Sequence, residues 1–342
     1  MNGRERILAA FHGEQPDTVP IMLHNFMMAA REAGVTMEEF RSDPRHIARS
    51  FLEAVERYGY DGIVVDVDTV TLAAAAGVPV SRPRDEPARV AGSRIHALDA
   101  VGELEVPDLK ASPGVQVWVE AVRLLVTHLG GEILIRGNCD QCPFTLASMI
   151  RGMNGWMEDL LDPSKEEGIV QLLAFSTEIT LQFLSLMAAS GADMLSNGDS
   201  MAGPELVSPS IYRRFALPWE QRIVQRAHGL GRPYVLHICG KTLPILKDML
   251  LSGADGLELD QRTDADQARE LMHRQTVFIG NVDPSGVLAR GTVREVEDAT
   301  RALLKTFAGT PRFVLNAGCA IPADTPADNL RAMIRVARSV HA

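Results

Sequence analysis

The chain has 342 residues, 46% hydrophobic and 23% charged, the proportions of a globular enzyme rather than of a disordered segment. Its formal charge is −10, from 34 Lys and Arg against 44 Asp and Glu, so a phosphate backbone gains nothing from it and nucleic acid is not an expected partner. No run of 18 apolar residues and no apolar stretch behind Met1-Asn2-Gly3-Arg4 point to a membrane span or a secretory signal, so no membrane partner is expected and a cytoplasmic location is.

Short apolar, β-branched runs recur along the chain, each ending in polar residues. They are 20–23, ending at His24 and Asn25; 62–65, ending at Asp66 and Asp68; and 133–135, ending near Asn138 and Cys139. Next come 193–195, ending at Asn197 and Asp199; 234–236, ending at His237 and Cys239; and 256–260, which contains Glu258. The last two are 277–280, before Asn281 and Asp283, and 313–315, before Asn316 and Cys319. Between them lie segments with helical apolar spacing: 37–58, 115–129, 166–189, 209–227, 242–251, 292–307 and 326–340. Asp162-Pro163-Ser164 reads as a helix start before the third of these.

Eight strands alternating with helices predict repeated βαβ units and one parallel sheet. Eight is also the number that closes such a sheet, so the expected fold is α/β, a (β/α)8 TIM barrel spanning 1–342 as one domain. A doubly wound open sheet is the competitor, and no G-x-G-x-x-G follows the first strand to favour it. The stretch 77–113, rich in Pro, Arg and Asp, reads as a lid or rim excursion. A barrel keeps its active site at the C-terminal strand ends, where this sequence places its His, Cys, Asp and Asn.

His237-Ile238-Cys239 carries the most chemistry. Residues two apart on a strand share a face, so this pair can hold one ion together. Cys319 is 80 positions away yet sits at the end of the eighth strand, at the same barrel mouth. One imidazole and two thiolates are a zinc set, and three protein ligands leave the open position of a catalytic site. Spacing alone equally allows a buried histidine and two unrelated cysteines. Glu258, beside the metal strand, is either a displaceable fourth ligand or a satisfied structural carboxylate. Asp66, Asp68, Asn197 and Asp199 are expected to line the cavity, with backbone capping as the alternative for each. Cys139-Asp140-Gln141-Cys142 is a second C-x2-C, a weak signal without a partner pair. His12, His96, His128 and His273 read as surface or packing residues.

The words around these residues resemble a known family. The stretch 236–240 (LHICG), then Gly253-Ala254-Asp255 and Leu259-Asp260, is similar to the methylcobamide:coenzyme M methyltransferases of the uroporphyrinogen decarboxylase superfamily. So is Asn316-Ala317-Gly318-Cys319 followed by Pro322, Thr325-Pro326 and Asn329. The likeness extends to Arg4-Glu5-Arg6, Pro143-Phe144-Thr145-Leu146, Phe215-Ala216-Leu217-Pro218 and Gly280-Asn281-Val282-Asp283-Pro284. It implies a uroporphyrinogen decarboxylase-like barrel, zinc on His237, Cys239 and Cys319, catalytic roles for Asp68, Asp199 and Glu258, and substrate contacts from His24, Asn25, Asn138 and Asn197. The implied activity moves a methyl group between methylcobalamin and a zinc-activated thiol such as coenzyme M. Arg136 and Arg151 are the candidate anchors for a sulfonate. No Asp-x-His-x-x-Gly word is present, because Val235 stands where the Asp would be. A separate corrinoid protein is therefore the expected partner. Porphyrinogen decarboxylation and transfer from a methyl donor onto a corrinoid protein are the rival activities. The first is disfavoured because Asn25 and Ala29 stand where the decarboxylases carry arginines, and Met149 where they carry a tyrosine.

Overall fold

The computed structural model describes residues 1–272 and 275–340, so His273 lies outside the described residues. Among these, eight parallel strands form one sheet in sequence order: β1 Met22–Leu23, β2 Gly62–Val65, β3 Leu134–Gln141, β4 Met194–Gly198, β5 Tyr234–Ile238, β6 Gly256–Leu259, β7 Val277–Val282 and β8 Phe313–Ala317. A parallel bridge from Ile21 to Leu315 joins the two ends, with Leu315 N donating to Pro20 O at 2.9 Å. The sheet is thus the closed barrel that the alternation predicts.

The barrel interior is stratified, and the period of two along each strand explains how. Met22, Val64, Leu134, Val235 and Val314 point inwards and form an apolar floor. Their same-face successors two positions on are His24, Asp66, Arg136, His237 and Asn316, while Gly256 is followed by Glu258. The floor is closed from below by the helix Gly3–His12, whose Ile7, Ala10 and Phe11 pack into it. Two glycines make room for this plug. A Cβ at Gly62 would lie 2.5 Å from Ile7 Cδ1, and one at Gly256 would lie 3.1 Å from Phe11 Cζ.

Several helices are shorter than their apolar period suggests. The segment 37–58 is two helices, Met37–Ser42 and Pro44–Tyr58. Pro44 pushes Asp43 out of the helical region, and Asp43 then caps the second helix through Arg45 N. The segment 209–227 holds a wide π-type turn at Tyr212–Ala216, just ahead of Pro218, which has no N–H for the ladder. Only Leu246–Leu250 of 242–251 is α-helical. The Asp162 side chain accepts from Ser164 N ahead of Glu166–Ala189, as the sequence indicated. By length and composition this helix, with the turn before it, is apolar enough to cross a membrane; most of it is buried inside the protein. The excursion after β2 carries a two-stranded ribbon, Val80–Ser81 against Arg89–Val90, and two short 3-10 turns.

Candidate metal centre

A cavity of about 230 Å³ opens at the C-terminal mouth of the barrel. Its walls include His24, Asp66, Asn138, Asn197, His237, Cys239, Glu258 and Cys319, with Pro87 reaching in from the excursion.

His237 is the penultimate residue of β5 and Cys239 lies just past the strand's end, held by the loop beyond. Gly240 turns at φ +93°, a conformation that favours glycine, and its N–H donates to Asp260 Oδ2 at 2.9 Å. Ser200 Oγ donates to Cys239 Sγ at 3.2 Å. Cys319 is brought in by a close approach of backbones: a Cβ at Gly318 would lie 2.4 Å from Gln261 N. Ile321 N also donates to His24 O at 2.8 Å, tying the Cys319 loop to the end of β1.

The three ligand atoms face one another. His237 Nε2 is 3.1 Å from Cys239 Sγ and 3.9 Å from Cys319 Sγ, and the sulfurs are 4.0 Å apart. A tetrahedral zinc with Zn–S of about 2.3 Å and Zn–N of about 2.0–2.1 Å would separate its sulfurs by about 3.8 Å and N from S by about 3.6 Å. The observed edges bracket those values, so the donor set fits the ion in type and in size. His237 Nδ1 lies 2.9 Å from the Glu258 carbonyl oxygen. A carbonyl only accepts, so Nδ1 carries the proton and Nε2 turns its lone pair to the thiols, the usual outer support of a metal-bound imidazole.

The three groups shift one another's acidity strongly. The Cys319 thiol, the His237 ring and the Ser200 hydroxyl together hold Cys239 down to about 3, against the opposing pull of burial. Burial lowers His237, but the Cys239 charge more than reverses it, raising the ring to about 10. Cys319, donating to that thiolate, is pushed well above the usual thiol range. A divalent cation binds such ligands in their deprotonated forms, so its binding would release protons.

Glu258 is fully buried, and both carboxylate oxygens are committed. Arg136 Nη2 donates to Oε2 at 2.5 Å, and Asn316 Nδ2 donates to Oε1 at 2.7 Å. It is therefore held as a structural carboxylate beside the three ligands rather than turned among them. Burial raises its pKa, but Arg136, His237 and His24 outweigh that and bring it down to about 2.

The remaining sequence candidates separate into two groups. His24, Asn138 and Asn197 line the cavity. Asn197 Nδ2 donates to Cys139 O at 2.5 Å, and its Oδ1 accepts from Tyr234 Oη at 3.0 Å. Asp68, Asp199 and Asn25 are placed elsewhere. Asp68 accepts from Val70 N and Thr71 Oγ1 at the start of Thr71–Ala75 and faces a separate groove beside Arg41. Asp199 is buried under the loop and accepts from Thr145 N and Oγ1 at 2.8 and 2.6 Å. Burial raises it to about 6, with those hydrogen bonds opposing. Asn25 is fully buried behind the cavity wall. For Asp68 and Asp199 the capping alternative is the arrangement found, because nearby backbone N–H groups and hydroxyls outcompete the cavity.

Arg136 lines the cavity, whereas Arg151 pairs with Asp159 at 2.7 Å outside it. Cys139 and Cys142 are fully buried thiols turned to different partners, the Gly137 carbonyl and the Tyr234 hydroxyl. Burial raises both, so neither is a ready thiolate. Asp140, between them, was not singled out in the sequence. It adopts φ +58° at an irregularity in the β3–β4 register, which turns it into the cavity. An unusual backbone conformation at a barrel rim is invisible to apolar periodicity.

Comparison with known proteins gives four likenesses of different reach. The sequence profile of the uroporphyrinogen decarboxylase (URO-D) family matches residues 2–340. A methylcobamide:CoM methyltransferase of Methanosarcina acetivorans is 33% identical over 221 residues, an alignment covering 65% of this chain and 62% of that protein. A uroporphyrinogen decarboxylase of Thermus thermophilus is 28% identical over 323 residues, 90% of this chain and 88% of that protein. The solved structure of a methyltransferase from Methanosarcina mazei superposes with a TM-score of 0.91 at 25% identity, covering 100% of both chains.

Proposed function

The chain belongs to the uroporphyrinogen decarboxylase family, and within it we propose that it transfers a methyl group between a corrinoid carrier and a small thiol held at a zinc centre. The observation that carries this reading is the meeting of His237 Nε2, Cys239 Sγ and Cys319 Sγ within 4.8 Å of one another at the barrel mouth. Zinc held by these three residues would supply Lewis acidity that keeps a substrate sulfur ionised at neutral pH. The chain's own residues do the rest. The Glu258 carbonyl fixes the His237 tautomer, and Ser200 supports Cys239. Arg136 holds Glu258 in place and keeps Nε and Nη1 unpaired beside the cavity, donors suited to the anionic tail of a thiol such as coenzyme M.

The methylcobamide-named relative of Methanosarcina acetivorans supports the corrinoid side of the reaction. The carrier is proposed to be a separate corrinoid protein docking at the mouth. Two reduced cysteines in the metal set suit a reducing compartment, the cytoplasm.

Metal analysis tests the reading first, then demethylation of free methylcobalamin with a panel of thiols. About one zinc per chain, and thiol-dependent loss of methylcobalamin absorbance, are expected. A zinc-loaded protein that methylates no thiol, and forms no methylcobalamin in reverse, would refute it.

Porphyrinogen decarboxylation is expected to be absent. The cavity offers one guanidinium, already paired with Glu258, and adds the Asp66 carboxyl, a poor host for a polycarboxylate. Asn25 and Ala29 are buried and neither is among the residues lining the cavity. Incubation with uroporphyrinogen should yield no coproporphyrinogen. Formation at a rate on the order of 1 per second would overturn the expectation.

A further inference from the structure

The ribbon in the excursion after β2 carries a tip, 82–88, that reaches the metal cavity through Pro87. The ribbon pairs Val80 with Val90 and Ser81 with Arg89, and Ala91 N donates to Pro79 O at 2.8 Å, which ties its two legs together. The legs leave the body of the protein at Val78, which is buried, and at Arg94, whose N–H donates to Ile150 O at 2.8 Å. Beyond them the tip reads Arg82-Pro83-Arg84-Asp85-Glu86-Pro87-Ala88, and of these only Ala88 is buried. A segment that buries one methyl group gains little from the core.

The hold on the tip is polar and comes from a single helix. Among the described residues, three hydrogen bonds join 82–88 to the protein outside the ribbon, and all three come from Met37–Ser42. Arg41 Nη1 donates to Pro83 O at 2.7 Å, and Nη2 donates to Glu86 O at 2.5 Å. Glu38 N, an orphan donor in the first helical turn, donates to Arg84 O at 2.8 Å. Arg41 has no ion pair and no other hydrogen bond among the described residues, so its guanidinium grips the tip and nothing else. Open space lies on both flanks. Pro87 and Met27 line both the metal cavity and a second cavity of about 480 Å³, which runs along Asp85 and Glu86. A third, of about 430 Å³, is lined by Arg82 and Arg41. Displacing the tip therefore breaks three hydrogen bonds and uncovers one alanine.

We propose that the tip 82–88 is a lid over the metal cavity, that Arg41 latches it shut, and that its release joins the two cavities at Pro87 into one cleft. The two bonds from a charged donor give the latch its strength, and Pro83 and Pro87 stiffen the segment it holds. Closed, the metal cavity of about 230 Å³ lies below the ~300 Å³ at which sites for drug-sized ligands begin, and suits a small thiol. Open, it extends into the neighbouring cavity of about 480 Å³ and takes a larger ligand. On the methyl-transfer reading above, the thiol fits beneath the closed tip and the macrocycle of the carrier requires the open one. The lid itself does not depend on that reading.

The test reads access to the cavity through its own cysteines. The full chain, reduced and metal-free, is labelled at pH 7 with N-ethylmaleimide or with the bulkier fluorescein maleimide. Peptide mass spectrometry follows Cys239 and Cys319. The ratio of the bulky to the small rate cancels any change in thiol acidity, and the fully buried Cys139 and Cys142 report unfolding. Three proteins are compared: wild type, Arg41→Met, and a lidless chain in which 82–88 is replaced by an Asn-Gly turn, which suits a two-residue hairpin. Arg41→Met should raise the ratio about tenfold or more, the effect of losing two hydrogen bonds from a charged group. The lidless chain should raise it further, with Cys139 and Cys142 unlabelled in both. Should Arg41→Met unfold and expose them, the lidless chain, which keeps Arg41, decides alone. A folded lidless chain with the wild-type ratio would overturn the lid. A raised ratio there, beside a folded Arg41→Met chain with the wild-type ratio, would overturn the latch. Zinc, corrinoid and methyl transfer enter none of these measurements, so the lid and the methyl-transfer reading can fail separately.

Discussion

Replacing Cys239 or Cys319 by alanine is expected to abolish zinc retention and lower thiol-dependent demethylation of methylcobalamin by well over ~10²-fold. Loss of an outer-shell partner alone costs metal sites about 10–100-fold, and these sulfurs are the proposed direct ligands. The three edges of 3.1, 3.9 and 4.0 Å leave no spare donor, since Glu258, the adjacent carboxylate, is bound on both oxygens. The fold should survive. Both cysteines lie in loops past the ends of β5 and β8, and neither belongs to the apolar floor or the outer core. Circular dichroism should be unchanged, and the urea midpoint should move only by the stabilisation that bound zinc gave the wild type. Serine at either position should fare little better, because an alcohol does not ionise where a thiol does. Metal content by emission spectroscopy and initial demethylation rates check the expectation. Alanine proteins that keep zinc and turn over at the wild-type rate would remove these residues from the mechanism.

The barrel was legible because each strand is short, apolar and stopped by polar residues, a rhythm that survives any error in its boundaries. The meeting of the three candidate ligands was legible for the same reason: His237 and Cys239 are two apart at the end of one strand, and Cys319 follows the end of the last. Helix ends were less so, since Pro44 and Pro218 interrupt apolar periods that run on through them. The floor helix Gly3–His12 is not among the helices expected from the sequence, although its buried Ile7, Ala10 and Phe11 have helical spacing. Strand parity fails beyond the strand end. Asp68 and Asp199 sit where a cavity residue is expected, and Thr71 and Thr145 decide otherwise. Asp140 needed the opposite correction, a register irregularity that no local pattern announces. Arg136 is read from the sequence only as a candidate sulfonate anchor; two positions after Leu134, its charge enters the barrel and pairs there with Glu258.

That counter-charge gives the second large effect. Arg136 and Glu258 are 2% and 1% exposed, so Glu258→Gln would leave a guanidinium in the barrel with no anion. Breaking a buried pair from one side typically costs about 3–5 kcal/mol, because the surviving charge stays desolvated. Removing both charges, as in Arg136→Met with Glu258→Met, should recover most of that loss and can even exceed wild-type stability, since the pair must first offset its own desolvation. The pH dependence has a definite sign. Glu258 is brought from 4.5 to about 2 by folding. Its contribution is therefore complete above about 4.5 and is lost as pH falls towards 2. Equilibrium urea unfolding of wild type, Glu258→Gln and the double variant at pH 7 and pH 4 separates these effects. The single variant should be the least stable at pH 7. A Glu258→Gln protein as stable as the double variant there would mean that Arg136 finds other compensation, and that the Arg136–Glu258 pair is not what holds the layer beneath the metal centre.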